Sequence, residues 1–72
     1  MIYEYVILEK DKKINGRLEA SLPYQALNIL IKQYNIENAQ VVVLNDKNEI
    51  WEFIVYKHND KIYAKRAKWH KQ

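Results

Sequence analysis

Three stretches of the chain, residues 2–8, 41–44 and 50–56, carry apolar side chains at odd and even positions alike, while only one other segment has helical periodicity. A strand projects successive side chains to opposite faces, so strands of this kind are apolar on both sides of a sheet. One helix covers one side. The other side must be met by the sheet's own curl, by a second copy of the chain, or by a partner.

Residues 2–10 are rich in aromatic and β-branched side chains and predict a strand that ends in a polar corner at Asp11, Lys12 and Lys13. Residues 14–20 alternate imperfectly as a second strand, within which Asn15-Gly16 marks either a tight turn or a bulge. The corner at 11–13 is the preferred turn. Ser21 as N-cap, Pro23 in the first turn, and Leu27, Leu30, Ile31 and Tyr34 at helical spacing predict a helix over 23–34. Asn35 suits a left-handed cap at its end. Residues 39–44 read as a short buried strand, and the turn Asn45-Asp46-Lys47-Asn48 pairs it antiparallel with 49–57. After His58-Asn59-Asp60, residues 61–69 fit either another meander strand or a helix capped by Asp60; strand is the reading adopted. The predicted fold is α+β in the order β-β-α-β-β-β: one small antiparallel sheet of four to five strands with one helix on one face.

At 72 residues the chain has room for a single domain with a small core. Cysteine is absent, so no disulfide reinforces it, and a zinc site would have to be built from carboxylates, His58 and His70 alone. No metal or cofactor is expected. The first apolar run is interrupted by Glu4 and stops at Glu9, too short for a signal-peptide core or a membrane span, so the expected location is the cytoplasm. Ile, Lys, Asn and Tyr dominate the composition, an A/T-rich coding bias that phage and plasmid genes carry and that fits a viral or mobile-element protein.

Charge is unevenly spread. Residues 57–72 hold six bases (Lys57, Lys61, Lys65, Arg66, Lys68, Lys71) against Asp60 alone, whereas residues 1–56 hold six bases and eight acids. Cations interleaved with aromatic rings suit nucleic acids, the cations meeting phosphates and the rings stacking on bases. The sequence therefore predicts a DNA- or RNA-binding segment in which Lys61, Lys65, Arg66, Lys68 and Lys71 contact phosphates while Tyr63 and Trp69 stack. With Ile62 and Ala64 turned to the core, Tyr63, Lys65, Ala67 and Trp69 share the outer face. The plainer alternative is a solvated basic edge that keeps the protein soluble and blocks edge-to-edge pairing. No zinc-finger spacing, GXXG loop or RNP strand pattern is present.

A second use competes with the first. In the first and fourth strands four aromatic residues fall on one parity, Tyr3 and Tyr5, Trp51 and Phe53, with Tyr56 on the other. These residue types dominate binding energy at protein interfaces. They are the predicted contact for a protein partner, either a host protein inhibited by a phage- or plasmid-encoded binder or a second copy in a homodimer. Catalysis has little support: the lone Ser21 lacks a glycine-flanked elbow, there is no paired-carboxylate or HExxH pattern, and Tyr63, Lys65, Arg66 and His70 form the only cluster fit for metal-free RNA cleavage. The expected function is a non-enzymatic binding module.

Overall fold

A computed structural model describes residues 1–67. Its elements are β1 (Ile2–Glu9), β2 (Lys12–Glu19), α1 (Pro23–Tyr34), β3 (Ala39–Leu44), β4 (Ile50–His58) and β5 (Lys61–Arg66). The five strands form one sheet in the order β2-β1-β3-β4-β5, every neighbouring pair antiparallel. The chain thus has the α+β architecture read from its sequence. β2 lies at one edge, and α1 carries the chain back over β1 so that β3 docks on its far side.

The turns follow from their residues. Glu9 pairs with Lys12, which leaves Lys10 and Asp11 as a two-residue connection, so Lys12 and Lys13 already belong to β2 rather than to the corner. Asn59 and Asp60 both have positive φ, 51° and 64°, between the paired His58 and Lys61. Two successive left-handed residues make a type I′ hairpin, and Asn and Asp tolerate that backbone best after glycine. The segment after Asp60 is accordingly a strand through Arg66, and the Ala67 N–H still bonds to the Glu52 carbonyl at 2.9 Å. In the β3–β4 loop the buried Asn45 takes the place of missing backbone bonds: its Oδ1 accepts from the N–H groups of Lys47 and Glu49, both at 3.0 Å, and its Nδ2 donates to Glu49 Oε1 at 2.8 Å.

The helix ends as expected, with Asn35 left-handed (φ 52°, ψ 49°) and the Ile36 N–H bonded to the Ile31 carbonyl at 3.1 Å. Its start differs. Pro23 holds the residue before it extended, so the N-cap falls on Leu22 (φ −138°, ψ 154°) and not on Ser21. The Ser21 N–H instead donates to Gln25 Oε1 at 2.6 Å, half of a capping box reached from inside the helix.

Ala26, Leu27 and Leu30 of α1 pack on Tyr3, Tyr5 and Ile7 of β1, Val41 and Val43 of β3, and Phe53 and Val55 of β4. Each large side chain removed from water here contributes about 1.5–3 kcal/mol. This overturns one expectation. Tyr3 is 2% exposed, Tyr5 is buried and Phe53 is 0% exposed, with Trp51 half-buried edge-on against Tyr3 at 6.1 Å, so the four aromatic residues assigned to a partner form the core under the helix. Gly16 belongs to the same arrangement and is neither turn nor bulge. It pairs regularly with Tyr5, whose ring lies across the space a side chain at position 16 would fill. The Tyr5 hydroxyl there meets the Tyr34 hydroxyl at 2.7 Å, which joins β1 to the last turn of α1.

Candidate nucleic-acid interface

With the odd-numbered residues of β1, β3 and β4 turned to the helix, the even-numbered ones form the opposite face, which no element among the described residues covers. Register places Ile2, Glu4, Val6 and Leu8 beside Glu19, Arg17, Asn15 and Lys13 of β2 on one side. On the other side lie Leu44, Val42 and Gln40, then Ile50, Glu52 and Ile54. Two regions of this face differ in chemistry.

The first is a corner. The β3–β4 register ends at Ala39↔Val55, so Tyr56, Lys57 and His58 run past β3, and among the described residues β5 alone pairs with them. Tyr56 pairs with Tyr63 across this free hairpin, and their rings stack with centroids 5.6 Å apart and planes 20° from parallel. His58 stands 6.5 Å from the Tyr63 ring. Lys61 and Lys65 lie on the same face as Tyr63, one residue pair to either side, opposite His58 and Ile54. All of these side chains are exposed. The arrangement offers flat aromatic surface between two mobile-stemmed cations, a geometry suited to an unstacked base and its flanking phosphates.

The structure brings together Lys61, Tyr63 and Lys65 of the residues singled out in the sequence. Arg66 alternates to the helix side with Ile62 and Ala64, so it does not join them. Lys68, Trp69 and Lys71, with His70, lie outside the described residues. His58 is an addition, and Tyr56, an aromatic residue of the same basic strip in the sequence, is set against Tyr63 once the turn is fixed at Asn59-Asp60.

The second region is the middle of the face. Val6, Val42, Leu44 and Ile50 floor a cleft of about 370 Å³ whose rim carries Glu4, Asn15 and Arg17. Glu4 and Arg17 are direct cross-strand partners, yet neither forms an ion pair or side-chain hydrogen bond among the described residues. Glu52, by contrast, accepts from Gln40 Nε2.

The titration of Tyr5 belongs to the core. Its hydrogen bond with Tyr34, then burial, then the neighbouring phenol raise its pKa above the ordinary tyrosine value. No group of three or more His, Cys, Asp or Glu side chains that could hold a metal occurs among the described residues. No helix among them is long and apolar enough to cross a membrane. Comparison with protein-family models, with curated proteins and with solved structures gives no match.

Proposed function

We propose that this protein is a non-enzymatic binding module that holds single-stranded nucleic acid at the β4–β5 corner. The observation that carries the reading is the exposed Tyr56–Tyr63 stack with Lys61 and Lys65 on the same face of a hairpin that extends past the rest of the sheet. Stacking on an aromatic side chain contributes about 1–3 kcal/mol per base and tolerates any sequence. Duplex DNA keeps its bases stacked inside, so single strands are the better match. Among the described residues the other cations of the segment, Lys57 and Arg66, sit on the helix side, where Lys57 Nζ is held by Glu37 Oε2 at 3.1 Å.

The test is fluorescence anisotropy with short labelled oligonucleotides of DNA and RNA over a range of salt. Tyr63→Ala is expected to weaken binding about 5- to 150-fold, the loss of one stacked base. Lys61→Ala/Lys65→Ala is expected to flatten the slope of log affinity against log salt by about 1.4, two phosphates on a single strand. Absence of binding to any oligonucleotide at low salt refutes the reading.

The apolar middle of the same face favours a second reading, a contact with protein. It rests on Ile2 at 52% and Ile50 at 44% exposure beside the Val6–Val42–Leu44 floor. A phage- or plasmid-encoded binder of a host protein would use this aliphatic area in place of the buried aromatic one. Pull-down on immobilised protein, repeated with Ile50→Lys, tests it: a specific partner is lost with the variant.

A further inference from the structure

We infer that the aliphatic middle of the open face is closed by a second copy of this chain, the two sheets packing face to face into a β-sandwich and leaving both β4–β5 corners free. This goes beyond nucleic-acid binding and does not depend on it. Size is the first argument. With the corner and β5 left out, four strands about 4.8 Å apart and about seven residues long, at about 3.3 Å each, give a face of roughly 440 Å². Two such faces in contact bury on the order of 900 Å² together, the size of a weak, concentration-dependent dimer. The apolar share is large, since Ile2, Val6, Leu8, Val42, Leu44, Ile50 and Ile54 occupy the three central strands. Monomers seldom leave so continuous an area in water.

Charge is the second argument. An isologous interface sets a surface against its own copy, so a single-sign surface repels itself whereas a mixed one does not. The part that would be in contact is mixed: Glu4, Glu19 and Glu52 lie among Lys13 and Arg17. The acids stand on the inner strands and at the end of β2, close to the aliphatic floor, where a polyanion would be repelled. Glu4 and Arg17 flank that floor with no ion pair among the described residues, one of each sign and placed to pair across a two-fold axis. The corner is excluded from the contact because Tyr56, His58, Lys61 and Tyr63 lie beyond the end of β3.

Sedimentation equilibrium of the full chain, from low micromolar to about 200 μM, decides the matter. The wild type is expected to move from the 8.7 kDa monomer toward twice that mass as concentration rises. Ile50→Lys places a charge in the middle of the contact and is expected to raise the dissociation constant at least about tenfold. Ile2→Lys, at the margin of the same face, should act in the same direction, and Leu22→Lys, exposed at the start of the helix, should change nothing. Circular dichroism of each variant checks that the fold persists, as expected for positions already in contact with water. A wild type that stays monomeric across the range overturns the inference. So does a dimer that Ile50→Lys and Ile2→Lys leave intact, because its interface then lies at a sheet edge.

Discussion

The two faces of this sheet carry comparable amounts of apolar surface but different kinds of it. The helix side holds rings, Tyr3, Tyr5 and Phe53 with Trp51 at the margin, over the short β-branched residues of β3. The open side holds Ile, Val and Leu, with rings only at the β4–β5 corner. The difference lies in reach. A 12-residue helix that buries only Ala26, Leu27 and Leu30 leaves a gap above the sheet, and long flat side chains fill such a gap where valines cannot. Tyrosine has the further advantage that its hydroxyl can end at the rim, as Tyr5 does against Tyr34. Rings in the inner strands of so small a domain therefore mark its core, and those on the projecting hairpin stay exposed.

The comparison breaks most readily at Phe53. Phe53→Ala empties the centre of the ring-filled face and is expected to cost about 3–5 kcal/mol, enough to leave the chain largely unfolded by far-UV circular dichroism at 25 °C. A folded variant with a melting temperature near wild type would deny that the helix side is the core. Gly16→Ala comes next. Its backbone is not left-handed, but the added Cβ would sit 2.6 Å from Tyr5 Cζ, so the ring must move off its place and strain the hydroxyl pair. The expected loss is about 1–3 kcal/mol by urea denaturation, although alanine suits a strand better than glycine does.

Smaller again is Tyr34→Phe, about 0.5–1.5 kcal/mol at neutral pH, with a change in alkaline behaviour. Because Tyr5 holds its proton more tightly folded than unfolded, its contribution is complete below the ordinary tyrosine pKa of about 10 and is lost as pH rises through the raised value. Removing the Tyr34 hydroxyl takes away the main cause. A late-titrating phenol is expected at 295 nm in the wild type; in the variant it should move back toward the ordinary range, and stability should fall less steeply above pH 10. The smallest effect belongs to the open face, where Ile54→Lys is expected to change monomer stability by no more than about 0.5 kcal/mol. A larger loss in the thermal melt would show that this face supports the fold after all.

Element order, the helix bounds, the left-handed Asn35 and the opposition of Trp51, Phe53 and Val55 to Ile50, Ile54 and Tyr56 were all legible in the sequence, because each rests on local periodicity or turn chemistry. Which parity meets the helix was not, since apolar content alone is symmetric between the faces. The decisive signal was charge. Glu4 and Glu52 stand in the interior of β1 and β4, and a carboxylate there belongs to the solvent side, which assigns Tyr3, Tyr5, Trp51 and Phe53 to the core. Ser21 was misplaced as cap for a similar reason: composition favoured it, but the constraint Pro23 imposes on its predecessor fixed the start one residue later. Of the site, Lys61, Tyr63 and Lys65 were legible from alternation alone. Arg66 fell to the other face by the same alternation.

The position of β1 between β2 and β3 has a consequence for how the chain assembles. β1 with β2, and β3 with β4 and β5, are hairpins whose partners are close in sequence and can zip locally. Only the seam from Glu4↔Leu44 to Leu8↔Gln40 joins the two pieces, and it closes a loop containing all of β2 and the helix. Loop closure must be completed before those contacts form, so the joining of the pieces, rather than the formation of either hairpin, is expected to set the pace of folding. Until it is complete, the inner edges of β1 and β3 are unpaired strands, and that interval is when a nascent copy is most open to exchange of its first hairpin with a neighbour.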